Sequence, residues 1–151
     1  MNAAVPVDEI RLGVVMLCHN ELAIAARMAR IWVEGGAAVA VHVDAKTRGP
    51  DVTEMREGLA DLPQVVIAGR HVWEWGTFSL VRATQDAAEL LLEKFPDVTH
   101  VILVSGACLT LRPVSDLCAY LARYSQRDFI ESVTVEDVGW TVGGLNEERF
   151  T

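Results

Sequence analysis

The sequence lacks both of the common glycine-rich phosphate-binding motifs. Neither GxGxxG nor GxxxxGK[ST] occurs, and the turn after the first predicted strand reads CHNE over residues 18–21. Those glycines let phosphates approach the backbone closely, so dinucleotide enzymes and P-loop NTPases depend on them. Their absence argues against both classes of protein.

Basic residues are also scarce. There are 13 Lys and Arg residues against 21 Asp and Glu residues, and the formal net charge is −8. Nucleic acids bind to basic faces, because their phosphates must be neutralised. We therefore expect no nucleic acid as the main partner.

Cysteines and long apolar runs are few as well. The three cysteines, Cys18, Cys108 and Cys118, are an odd number without metal-ligand spacing, which is more typical of a reducing compartment than of a disulfide framework. No apolar run approaches the roughly 20 residues that a membrane span needs, and the first ten residues lack a signal pattern. These features predict a cytoplasmic location without a transmembrane segment, and they leave peripheral membrane association open.

Apolar residues, by contrast, make up 51% of the chain. Short continuous apolar runs, typical of buried strands, alternate with segments in which apolar residues recur at helical spacing. Strands are predicted at 11–18, 39–44, 65–68, 100–104 and 128–133, and helices at 21–34, 52–59, 78–95 and 113–124. This alternation predicts an α/β sandwich with a mostly parallel sheet and helices on both faces. Residues 136–151 are irregular and end without a closing element. The chain is therefore interpreted as one domain, 1–151, that is incomplete at its C-terminus.

Polar side chains stand where the predicted strands end. Asp44 closes the second strand, and His42 lies two residues earlier on the same face. Ligands of open α/β sheets bind outside the carboxyl ends of the strands, so both are candidate ligand contacts. The alternatives are an aspartate that caps its own loop and a histidine that belongs to the core.

The other predicted strand exits carry further candidates. His19 follows the first strand and can contact a ligand, and the Ser105–Gly106 pair follows the fourth. In the loop at 69–76, Trp73 and Trp75 either stack on a sugar or base or cover the sheet. Gly76 would let the backbone approach a ligand.

Four segments together resemble a known family. They are VVMLCHN (14–20), VHVDAK (41–46), VWEWGTFSLVRA (72–83) and LVSGACLTL (103–111). In this order and spacing they resemble the branching β-1,6-N-acetylglucosaminyltransferases of the core 2/I type and the related peptide O-xylosyltransferases. The resemblance implies a GT-A-like nucleotide-binding fold and an inverting transfer from a UDP-sugar to a saccharide or other acceptor hydroxyl. It also implies that no metal and no further cofactor is needed.

The resemblance also implies roles for individual residues. Asp44 would hold the uridine, and the catalytic base would either follow residue 151 in the family pattern or be one of three carboxylates near the end of the chain. The other implied substrate contacts are Val15, His19, His42, Trp75, Gly76, Arg82, Ser105, Gly106 and Cys108. The candidate bases are Glu131, Glu147 and Glu148, with Glu74 a weaker candidate.

The fourth segment departs from the family pattern. Cys108 stands where the family has an aspartate on the acceptor side, and Thr110 stands where it has a proline. A bacterial subgroup with a different acceptor would explain this departure. Two other interpretations stay open: a non-catalytic nucleotide-sugar-binding module, and a hydrolase that uses Cys108 with His19 or His71.

Overall fold

The computed structural model describes residues 6–74, 76–124 and 129. A short 3-10 helix, Val7–Glu9, precedes an alternation of four strands and four helices. In chain order these are β1 (Leu12–Cys18), α1 (Leu22–Glu34), β2 (Ala38–Val43), α2 (Gly49–Leu59), β3 (Val65–Ile67), α3 (Phe78–Lys94), β4 (His100–Ser105) and α4 (Val114–Arg123). The predicted α/β class is confirmed. The predicted strand at 128–133 and the irregular segment at 136–151 lie outside the described residues, apart from Phe129.

The four strands form one parallel sheet in the order β3-β2-β1-β4. β1 is interior, with its pairing to β2 running from Gly13↔Ala38 to Cys18↔Val43. Its other edge pairs with β4. An interior parallel strand is covered on both faces, which is why β1 and β2 are apolar at consecutive positions.

Helices cover the two faces of the sheet unequally. One core cluster joins β1 and β2 to apolar side chains of α1, α2 and α4. On the opposite face α3 supplies Ala87 and Leu91, which pack against Val15 and Ala40. Among the described residues, α3 is the one helix on this face, and it packs over β1, β2 and β3.

β4 is more exposed than its apolar sequence suggests. Val101 is 46% exposed and Leu103 is 55% exposed, whereas Val104, which faces the other way, is buried. The described helix on the side of Val101 and Leu103 packs over the other three strands, which leaves these two side chains in contact with solvent.

The start of α1 corrects a detail of the sequence interpretation. The helix predicted at 21–34 begins at Leu22, and Glu21 occupies the N-cap position. Glu21 has φ 47° and ψ 45°, the left-handed region that non-glycine residues rarely adopt. This turn aims the Glu21 carbonyl into the helix, where it accepts the N–H groups of Ile24 at 2.8 Å and Ala25 at 3.1 Å.

Candidate functional site

The loops that leave the strands meet at one edge of the sheet, as predicted. Hydrogen bonds between main-chain groups link them: Asp44 N–H donates to the Cys18 carbonyl at 2.8 Å, and Ala45 N–H donates to the His71 carbonyl at 3.0 Å. On the other side of β1, Gly106 N–H donates to the Leu17 carbonyl at 2.9 Å. All four strand exits are therefore held in one row, where α/β sheets bind ligands.

Asp44 caps its own loop, which is one of the two alternatives that the sequence left open. Its side chain is buried, with 5% of the residue exposed. Oδ1 accepts the N–H of Lys46 at 2.9 Å, and the Asp44 carbonyl accepts the N–H of Thr47 at 3.0 Å, so the residue closes a tight turn. Within the described residues Oδ2 accepts no hydrogen bond, which leaves one carboxylate oxygen for a ligand.

His42 is a buried core histidine with one unpaired nitrogen. The His71 N–H donates to His42 Nε2 at 3.2 Å, and the two imidazole rings stack with their centroids 5.5 Å apart. Because Nε2 accepts, the neutral ring carries its hydrogen on Nδ1, which is buried without a partner among the described residues. Burial lowers the pKa of His42, and His71 lowers it further, against smaller opposing effects of Asp86 and Asp44.

This lowered pKa predicts how stability depends on pH. Below about pH 6.5 the unfolded chain binds a proton at residue 42 that the folded chain does not, so the free energy of unfolding should fall as the pH falls. Urea unfolding at several pH values measures this slope. His42→Gln should reduce the slope of the free energy of unfolding against pH. The matched variant His100→Gln, at a more exposed site, should leave that slope unchanged. An unchanged slope in His42→Gln would show that other groups cause it.

Trp73 covers the core at this edge instead of presenting a free ring. It is 6% exposed, and its ring lies edge-to-face with the exposed His19 imidazole at 5.5 Å between centroids. The His19 carbonyl accepts the Thr47 hydroxyl at 2.9 Å, which ties the first exit loop to the Asp44 turn. His19 is thus brought to the same place as Asp44. Trp75 lies outside the described residues.

Arg82 and Gly76 lie near the third exit loop. Arg82 is 66% exposed in its side chain, and its Nε contacts Asp86 Oδ1 at 3.1 Å, one turn further along α3. The other Asp86 oxygen contacts His71 Nε2 at 2.6 Å. Gly76 has φ +75°, a backbone conformation that residues with a side chain rarely adopt. This conformation favours glycine at position 76 whether or not a ligand binds.

Glu74, the weaker candidate base, is exposed in the same loop. Its Oε1 lies 3.4 Å from Lys46 Nζ. This exposed ion pair connects the third exit loop to the Asp44 turn. Lys46 thus contacts one of the two oxygens of the Glu74 carboxylate.

The exit of β4 is packed closely against the start of α1. A Cβ built on Gly106 would lie 2.8 Å from Cys18 Sγ and 2.9 Å from Ala25 Cβ. Close packing therefore explains Gly106 without a ligand. Ser105 and Cys108 are exposed there, with Ser105 Oγ 3.3 Å from Cys108 Sγ.

The thiols give no support to cysteine chemistry. Cys18 is buried, and burial raises its pKa to about 12. Cys108 contacts Ser105, whereas His19 contacts Trp73 and His71 contacts Asp86. Among the described residues neither histidine is paired with a thiol. In that same part of the chain, no group of three or more His, Cys, Asp and Glu side chains is arranged to hold a metal ion.

One predicted site residue, Val15, is not at this edge, and others lie outside the described residues. Val15 lies in the middle of β1 and is 1% exposed within the core beneath α3. The candidate bases Glu131, Glu147 and Glu148 lie outside the described residues. Their roles stay predictions.

A groove of about 740 Å³ opens beside the Asp44 turn. It is lined along α1 from Leu22 to Arg30 and along α2 from Asp51 to Gly58, and its rim includes His19, Lys46 and Thr47. Arg27 and Arg48 also line it, and neither guanidinium group has a hydrogen-bond or ion-pair partner among the described residues. Arg27 is missed by sequence interpretation, because a lone arginine on a helix is ordinary surface. The volume is within the range of pockets that hold small ligands.

A parallel sheet with helices on both faces, and with a ligand-sized groove at the carboxyl ends of its strands, defines an α/β ligand-binding domain. The family model described as Core-2/I-Branching enzyme matches residues 15–147. The chain therefore belongs to the Core-2/I-branching enzyme family, and membership implies glycosyltransferase activity in general. The comparison with curated proteins returns no match. No helix in the described ranges is both long and apolar enough to cross a membrane.

Proposed function

We propose that this glycosyltransferase binds a UDP-sugar at the Asp44 edge and transfers the sugar to an acceptor hydroxyl with inversion. The observation that carries the proposal is Asp44 itself: a buried carboxylate at the end of β2 with one oxygen unused among the described residues. Uracil has an N–H that needs a directional acceptor, and Oδ2 can provide it. The exposed His19 ring stands at the same edge to contact the nucleoside.

The diphosphate would lie along the groove that opens next to the uracil site. Arg48 and Arg27 line that groove without ion-pair partners in the described part of the chain, and Lys46 stands beside them. When no metal ion is used, such cations must stabilise the charge that develops on the leaving diphosphate. Glu21, Asp51 and Glu54 also line the groove and offset part of this positive charge. We therefore propose Arg48 and Arg27 as the principal diphosphate contacts.

The donor is proposed to carry an N-acetylglucosamine or xylose-type sugar, on the resemblance to branching transferases and xylosyltransferases. A carboxylate would take the proton of the acceptor hydroxyl as the hydroxyl attacks the anomeric carbon and the bond to the diphosphate breaks. Glu131, Glu147 and Glu148 are the proposed candidates for that base. On the acceptor side, Ser105 and Cys108 are exposed at the exit of β4, where a hydroxyl substrate could reach them.

Isothermal calorimetry with UDP in EDTA tests this function directly. We expect saturable binding of UDP, and binding of ADP at least about tenfold weaker because adenine lacks an N–H in the equivalent position. Arg48→Met should weaken UDP binding more than uridine binding, since the nucleoside has no phosphate. Equal affinity for UDP and ADP would contradict the uracil site. Binding that requires a divalent metal ion would contradict the metal-independent mechanism.

A further inference from the structure

We propose that Arg70 is a positioning residue for Asp44: it shapes the turn that presents the carboxylate to the nucleotide, without touching the nucleotide itself. This inference rests on the proposed function, because it concerns the same uracil site. Neither the motifs of the sequence nor the family match singles out Arg70, which lies in the exit loop of a different strand.

The Arg70 guanidinium is bonded to the backbone of the Asp44 turn. Its Nη2 donates to the carbonyls of Asp44 at 2.9 Å, Ala45 at 3.0 Å and Thr47 at 2.6 Å. Three carbonyls that converge on one nitrogen fix the backbone of a four-residue turn. Hydrogen bonds from a charged donor are stronger than those between neutral groups. The contact with Arg70 therefore strongly stabilises the conformation of the turn.

The same turn sets the direction of the Asp44 carboxylate. Oδ1 is held by the N–H of Lys46, which belongs to the segment whose carbonyls Arg70 binds. If the segment relaxed, the Lys46 N–H would move and the carboxylate would rotate with it. Arg70 thus acts on Oδ2 through the turn and through Oδ1.

Further contacts hold the Arg70 loop in place against the Asp44 turn. Ala45 N–H donates to the His71 carbonyl at 3.0 Å, and the His71 N–H donates to the buried His42 at 3.2 Å. Both bonds hold the main chain of the residue next to Arg70, so Arg70 has a defined place from which to bind the turn. A direct diphosphate contact is the rival role: Nη2 is committed to the three carbonyls and Nε is buried, so such a contact would have to be made by Nη1. Comparing the losses for UDP and uridine separates the two roles.

The test is a double-mutant cycle on nucleotide binding. Arg70→Met should weaken UDP binding about tenfold, and it should weaken uridine binding by the same factor, because the lost contact concerns the base and not the phosphates. In an Asp44→Asn background, Arg70→Met should cause no further loss. Arg70→Lys, which keeps a charged donor without the planar fork, should cost less, about threefold. NMR titration reaches the millimolar affinities involved.

Arg11→Met is the matched control. Arg11 also donates to a backbone carbonyl, that of Ile10, but it precedes β1 at the opposite end of the sheet. It should leave UDP affinity unchanged, and circular dichroism confirms that each variant is folded. A loss for UDP that exceeds the loss for uridine, or an equal loss with and without Asp44, would overturn the positioning role. Full UDP affinity of Arg70→Met would also overturn the positioning role if Asp44→Asn has lost UDP affinity.

The outcomes also separate this inference from the proposed function. Absence of UDP binding by the unmodified chain would overturn the proposed function, and the inference would fall with it. UDP binding that Asp44→Asn weakens and Arg70→Met does not would overturn the inference alone. If Arg70→Met does not fold, Arg70→Lys takes its place: equal losses for UDP and uridine support the positioning role, and a larger loss for UDP overturns it.

Discussion

Asp44→Asn should weaken UDP binding about a hundredfold, because the substitution places a donor where the uracil N–H needs an acceptor. The asparagine oxygen can still accept the Lys46 N–H, as Oδ1 does now, so the turn keeps its shape. The amide nitrogen then takes the position of Oδ2 and faces another N–H. Both groups are left unpaired in a buried site, which costs more than the simple loss of one hydrogen bond.

Calorimetry or NMR titration with UDP measures this effect. Asp116→Asn is the control, since it removes the same charge from an exposed position in the first turn of α4. It should leave UDP affinity unchanged, and both variants should unfold at about the same urea concentration as the parent. If Asp44→Asn binds UDP as the parent does, the uracil does not lie at Asp44, and the proposed site must be abandoned.

The strands and helices were predictable because each is marked by a local pattern. β1 and β2 are apolar at consecutive positions, as interior parallel strands must be, and the helical segments between them have the length of crossover connections. The position of Asp44 at a strand exit follows from the same pattern. The convergence of the exit loops then follows from the parallel topology alone.

The contacts within the site were not predictable, because they join distant parts of the chain. Nothing in the sequence near Arg70 indicates that its guanidinium binds carbonyls about 25 residues earlier. Likewise, the left-handed conformation of Glu21 and the exposure of Leu103 on β4 depend on how elements pack, not on their own residues. The sequence therefore predicts which strand exits carry the candidate site but not the interactions that shape them.

Leu91→Ala should lower the free energy of unfolding by about 3–4 kcal/mol, a large fraction of the stability of a small domain. Leu91 is fully buried on the face of the sheet that α3 covers. Its fully buried neighbours in this cluster, including Ala40 and Ala87, are all smaller than leucine, so they cannot by themselves fill the space that the side chain leaves. Urea unfolding measures the loss. Leu92→Ala, the next residue on the helix but 46% exposed, is the control and should cost less than about 1 kcal/mol.

A second substitution tests whether packing against β1 is the cause. A Cβ on Gly13 would lie 2.7 Å from Leu91 Cδ2 and 2.8 Å from Val98 Cγ1, so Gly13→Ala alone should cost about 1–3 kcal/mol by overpacking. When Leu91 is also alanine, the new methyl group meets empty space on that side and fills part of the cavity. The loss in the free energy of unfolding of the double variant should therefore be about 1 kcal/mol smaller than the sum of the losses in the two single variants. Strict additivity would mean that Leu91 stabilises the fold through contacts other than those with β1.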